Sequence, residues 1–211
     1  GWIHLMEPHH PYEPNTEDID RVVAQNATRR VLDGRGSQTD IELVKAAYKQ
    51  EIRKLDETLR HLWKSLPDDA EVVFTADHGE LLGEEYEISW GHPGRMLPEL
   101  LHVPFGTKNL ETLAGSVVSL LDVGTLFIGE TFGAGEANRE FALATYGDEK
   151  AVISADTLYD GERFRGIVED LSGREPNNAA EMKRRWSRFD PDSIRRTDEA
   201  LKGDLRDLGY I

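Results

Sequence analysis

From Ile41 to Leu62 the apolar residues Ile41, Val44, Tyr48, Ile52, Leu55, Leu59 and Leu62 recur at spacings of three and four. This is the strongest periodicity in the chain, and it predicts a long amphipathic helix. Thr39-Asp40-Ile41-Glu42 reads as its capping box, and Pro67 closes it. Asp68-Asp69-Ala70 then turns the chain into Val72-Val73-Phe74, a short apolar run that reads as a buried strand. A helix followed so closely by a buried strand implies a sheet with helices packed on its faces. The strand ends in Asp77-His78-Gly79-Glu80. A carboxylate and an imidazole there sit where open α/β sheets place their ligands, and Gly79 lets the backbone turn sharply after them.

The flanking stretches extend the pattern. Trp2–Met6 is a candidate strand that runs into a stiff loop carrying Pro8, Pro11 and Pro14. Thr16 is placed to cap a first helix, whose apolar face would be Ile19, Val22, Val23, Ala27 and Val31. A Gly-rich polar loop, Leu81 to Met96, follows the Asp-His segment. His102-Val103-Pro104-Phe105 reads as a short edge strand and Ser116–Phe127 as a short buried helix. Gly129–Gly135 is a linker, so residues 1–135 form an α/β core and 136–211 a C-terminal subdomain. That subdomain has strand candidates at Phe141–Tyr146, Ala151–Ala155, Thr157–Tyr159 and Arg163–Val168, which suggest a small antiparallel sheet. Helices from Pro176 to Arg188 and from Arg195 to Leu208 complete it.

The composition removes several function classes. The net charge is −15, from 40 acidic against 25 basic residues, which disfavours nucleic acid and anionic membranes as partners. Such a balance suits a protein of a salt-loving organism, whose stability rises with salt concentration. No cysteine is present, so disulfides and thiolate metal sites are excluded. No apolar stretch is long enough for a membrane span. The chain opens directly on a strand pattern, which suggests a fragment of a longer protein; a true start near Gly1 would imply the cytoplasm.

If the predicted strands are parallel neighbours, the His9-His10 loop, Asp77-His78 and His92 converge at one sheet edge. Asp77 and His78 would then be metal ligands, suited to Zn²⁺ or Mn²⁺, with Ca²⁺ preferring oxygen alone. His9 and His92 would face an anionic substrate as donors or as the acid for its leaving group. Other readings stand beside these. Asp77 at a strand end can simply accept from backbone amides. His10 can face solvent while His9 makes only a structural hydrogen bond. His4 reads as a core histidine, His61 as a surface one and His102 as packing. Glu80 and Glu84 either support the ligands from behind or are solvated.

The quoted stretches, in this order, resemble the C-terminal portion of the sulfatase family, of the alkaline phosphatase-like superfamily. Trp2–Tyr12 is similar to the family's strand and its His-x-Pro-Tyr loop, and Tyr48–Leu59 to the helix before its metal strand. Val72–Glu80 resembles its second metal-binding segment. Trp90–Phe105 resembles the segment with a substrate-facing basic residue and the Val-Pro strand. Leu120–Phe127, Glu169–Ala180 and Leu205–Ile211 look like the family's following helix and tail. The resemblance implies an incomplete alkaline phosphatase-like α/β fold, with a mixed sheet flanked by helices and a small C-terminal antiparallel sheet. It implies a divalent metal (Ca, Mn, Zn or Mg) on Asp77 and His78, His9 on the ester, and His92 where many members carry Lys or His. The implied activity is hydrolysis of sulfate esters. Phosphate or phosphonate ester hydrolysis and phosphoglycerol transfer are variants within the superfamily. The family's nucleophile and its first paired Asp ligands have no counterpart here. The chain alone is therefore expected to be inactive, and a non-catalytic remnant acting in binding or assembly is the rival reading. Sheet surface left bare by the missing half would favour a homo-oligomer.

Overall fold

The structure is a computed structural model that describes residues 1–14, 18–84, 90–110, 117–123, 140–167, 171 and 174–192. The chain forms two compact units, one of residues 1–70 with 80–93 and the other of 71–79 with 94–211. Among the described residues it is a mixed α/β protein whose strands all pair antiparallel.

In the first unit, α1 (Arg21–Leu32) is capped by Asp20, which accepts from the Val23 amide at 2.9 Å. The second helix, α2, runs Gln38–Ser65. Its capping box lies two residues upstream of the expected one: Asp40 N–H donates to Ser37 Oγ, and Ser37 N–H donates to Asp40 at 2.9 Å. Arg30 of α1 also donates to Asp40, which favours this box over one ending at Glu42. The Arg30 guanidinium, then the Ser37 donors, hold the Asp40 carboxyl well below the usual carboxylate range. The two helices pack through Ala24, Ala27, Val31, Val44 and Ala47, all buried. These small side chains let the helices approach closely. Val22 and Val23, expected on this face, are instead 61% and 52% exposed. The seam follows Ala24, Ala27, Thr28 and Val31, the spacing of one helix stripe. Only Val44, Ala47 and Glu51 of α2 are buried; further along, Leu55, Leu59 and Leu62 are half-buried and Ile52 is exposed. Glu51 is held there by the Glu13 amide, which donates to it at 3.0 Å.

Trp2–Met6 forms no strand, and Trp2, Ile3 and Met6 are exposed. A strand exists only through its ladder, and no described segment pairs with this one. The Leu81–Met96 segment contains a short ladder, β2 (Leu81–Leu82) with β3 (Trp90–Gly91). Leu82 and Trp90 pack on the helical core, and Lys45 lies over the Trp90 ring at 5.9 Å.

In the second unit, β1 (Val72–Thr75) pairs with β4 (Phe105–Lys108), Val72 opposite Lys108 and Thr75 opposite Phe105. The strand expected to be buried is half-buried, and its described partner β4 is antiparallel. The edge strand expected to begin at His102 begins at Phe105, since Pro104 has no N–H for a ladder. A one-turn helix, α3 (Pro98–Leu101), precedes it.

The C-terminal sheet follows the sequence closely: β5 (Ala142–Tyr146), β6 (Glu149–Ile153), β7 (Thr157–Tyr159) and β8 (Phe164–Gly166) form a sequential meander. The β5–β6 turn is Gly147-Asp148, with Gly147 at φ +56°, where tight hairpin turns need a left-handed residue. Helix α4 (Ala179–Arg188) lays Met182 and Trp186 on Phe141, Val152 and Tyr159. Lys150 ties it down: Nζ donates to Phe189 O at 2.9 Å, and Trp186 Nε1 donates to Lys150 O at 3.1 Å. Within the expected Ser116–Phe127 helix, Leu120–Asp122 forms a 3₁₀ turn. The helix expected at 195–208 and the linker with its boundary near 135 lie outside the described residues.

Candidate active site

In the first unit the proline-rich loop carries His9 and His10, and β3 delivers His92 directly behind Trp90-Gly91. The three imidazoles cluster: ring centroids are 4.5 Å apart for His9–His10, 5.0 Å for His9–His92 and 5.3 Å for His10–His92. His9 is exposed, and its Nδ1–H donates to the His10 carbonyl. His10, expected to face solvent under the alternative reading, is half-buried. Burial pulls its pKa below the ordinary imidazole value; the charge of Glu80 opposes this, and His9 and His92 reinforce it.

Glu80 is the residue that sequence reasoning undervalued. Its side chain is only 8% exposed, and Oε1 lies 3.5 Å from His92 Nδ1. It is a buried carboxylate behind the imidazole cluster rather than one more solvated acid. Its field is felt beyond His92. Burial first, then the Glu80 charge and Tyr48, push the Tyr12 phenol far above its usual value, so it stays neutral. Tyr48 is raised by burial and Glu80 as well. The available signal was the position of Glu80, directly after Asp77-His78-Gly79. His4, expected in the core, is exposed. His61 is on the surface of α2, where its Nδ1 meets Glu57 O at 2.7 Å.

In the second unit Asp77 and His78 sit just beyond β1. Asp77 Oδ1 accepts from the His78 amide at 3.0 Å, and its side chain is 80% exposed. His78 Nδ1–H donates to Gly79 O at 2.8 Å, and Nε2 lies 3.8 Å from Asp77 Oδ2. Gly79 anchors the pair. Its N–H donates to Leu100 O at 2.9 Å, and a Cβ there would stand 1.9 Å from Glu99 O. Gly79 does not have a positive φ; its missing side chain serves close approach to α3 rather than the sharp turn expected. Asp77 also lines a largely apolar cavity of about 430 Å³ walled by Leu100, Val103, Phe105, Leu143 and Ile153. His102 is exposed on its rim. His9 and His92 are together in the first unit, and Asp77 and His78 are together in the second.

Residues 2–105 of the chain match the sulfatase family. The low-salt glycan biosynthesis sulfotransferase Agl7 of Haloferax volcanii is 47% identical over 57 residues. That match covers 24% of this chain and 14% of the relative's length. No solved structure matches the chain. No described helix is long and apolar enough to cross a membrane.

Proposed function

We propose that the chain is part of a metal-dependent hydrolase of sulfate esters, with Asp77 and His78 as two ligands of a divalent ion and His9 and His92 facing the ester. The observation that carries this reading is the family match, because residues 2–105 contain all four side chains. Donor chemistry supports it. Asp77 Oδ2 and His78 Nε2 are 3.8 Å apart, a span that one ion with bonds of about 2.0–2.2 Å can bridge. An oxygen with a nitrogen suits Zn²⁺ or Mn²⁺ better than Ca²⁺ or Mg²⁺. A bound ion would supply Lewis acidity toward a sulfuryl oxygen.

The chain's own residues supply the rest. His9, exposed at the edge of the cluster, donates to an ester oxygen or gives a proton to the leaving group. His92, backed by Glu80, donates to a second oxygen. A chain of net charge −15 repels anions, so a metal together with the clustered imidazoles would be needed to reverse that field locally. The nucleophile and further ligands are not in this sequence, so turnover by these 211 residues alone is not expected.

In the whole enzyme, Asp77→Ala is expected to lower metal affinity by at least about tenfold, read by elemental analysis after dialysis. Unchanged metal content would sink the assignment. A second reading is favoured by the name of the Haloferax relative: transfer of the sulfuryl group to a sugar hydroxyl instead of water. Incubating the whole enzyme with an aryl sulfate, with and without a glycan acceptor, separates them. Hydrolysis yields free sulfate in both cases, and transfer yields a sulfated glycan.

A further inference from the structure

Resting on that reading of His9 and His92, we propose that Glu51 is a positioning residue of the same site. From the middle of α2 its carboxylate holds the loop that carries His9 and His10. Glu51 is a buried acid with no part in the chemistry itself, its side chain only 3% exposed. Oε1 accepts from the Glu13 amide at 3.0 Å, across 38 residues of sequence. Oε2 is buried without a hydrogen bond among the described residues, and Lys54 Nζ stands 4.0 Å from it. Burying a carboxylate is costly unless it is paired and hydrogen-bonded. An apolar residue of similar volume in such a place is often neutral or stabilising. Stability therefore does not call for an acid at position 51. What the carboxylate adds is a fixed acceptor for the loop.

The loop is gripped on both sides of its histidines. After them, Glu13 gives its amide to Glu51, and its side chain accepts from Gln25 Nε2 at 2.5 Å and pairs with Arg21 at 2.6 Å, both on α1. Before them, Glu7 meets Lys54 at 4.0 Å, and Lys54 lies one turn beyond Glu51 on α2. Tyr12 is buried and sets its ring edge-on to Tyr48, one turn before Glu51, with centroids 5.4 Å apart. One stripe of α2, Tyr48–Glu51–Lys54, thus receives the loop. Arg21 and Lys54 are more than half exposed, and ion pairs in water hold little. The Glu13–Glu51 bond is shielded on its acceptor side, which makes it the fixed point of the loop, close in the chain to His9 and His10. His92 is held separately, behind the β2–β3 ladder, with its ring 5.0 Å from that of His9. The attachment of the loop therefore decides whether His9 and His92 face one ester together. A displacement of about 1 Å at a reacting centre can cost about 100-fold in rate.

Two substitutions test this. Glu51→Leu removes the acceptor at similar volume, whereas Glu51→Gln keeps an acceptor oxygen for the Glu13 amide. In the 211-residue chain, hydrogen exchange at the Glu13 amide is expected to accelerate by at least about tenfold with Leu and to stay within about threefold of the parent with Gln. Nuclear Overhauser contacts between the His9 and His92 rings should be lost with Leu and kept with Gln. In the whole enzyme acting on an aryl sulfate, Glu51→Leu should lower kcat/KM by about 100-fold, most of it in kcat, and Gln should restore most of the loss. Urea unfolding of each variant separates loss of position from loss of fold, and Glu51→Met replaces Leu should the latter not fold. The proposal is overturned if the folded apolar variant keeps the parent's Glu13 protection and its His9–His92 contacts, or if the Gln variant loses them as Leu does. A whole enzyme inactive on sulfate esters would defeat the proposed function, while the exchange and ring-contact readings still decide whether Glu51 positions the loop.

Discussion

Gly79→Ala is expected to destabilise the second unit by about 3 kcal/mol, as forced overpacking against fixed backbone does. The added Cβ would lie 1.9 Å from Glu99 O and 3.0 Å from Glu99 C, and neither atom can move as a side-chain end would. Relief requires Gly79 to withdraw from α3, which breaks the 2.9 Å bond to Leu100 O. His78, which donates to Gly79 O, moves with it. Urea denaturation monitored on the purified chain reads the loss directly. An unchanged midpoint would mean that the Gly79–α3 contact is not made in solution.

Leu158→Ala is expected to cost a similar amount, about 3 kcal/mol. Leu158 is fully buried on β7 and faces Met96 and Ala151, with Leu101, Ala144 and Ile153 around it. Its neighbour Tyr159 points to the opposite face, toward α4. Truncation therefore opens a cavity on the side of the sheet that carries the 96–101 segment. That segment also receives Gly79, so the two substitutions share a partner. In a double-mutant cycle their costs should fall short of additive. Strict additivity would show that α3 does not link them.

The sequence was most legible where structure is local. The meander and α4 were readable because alternation, Gly147 and the run from Asn178 to Arg188 each act over a few residues. Helix α2 was legible in its extent, but its periodicity could not show that only Val44, Ala47 and Glu51 are buried. The pairing of β1 with β4 was not legible, because an apolar run carries no record of its neighbour's identity or direction. Trp2–Met6 has strand residues without a described partner, and propensity alone does not make a ladder. At the candidate site, residue type pointed to His9, Asp77, His78 and His92. The burial of Glu80 and the inward turn of His10 depend on how β2–β3 and the proline loop fold onto helices distant in sequence.

The difference between the meander and the β1–β4 pair also sets an order of events in time. Tyr146 meets Glu149 across a two-residue turn, whereas Val72 meets Lys108 only after a long intervening chain has closed. Loop-closure entropy makes the first pairing cheap and fast and the second costly and slow. The β5–β8 sheet is thus expected to form before β1 finds its partner. Asp77 and His78, two and three residues beyond the end of β1, become ordered only when that search ends. In a pulse-labelling experiment, amides of β5–β7 should gain protection before those of β1. The candidate ligands of this chain are therefore expected to become ordered after the C-terminal sheet.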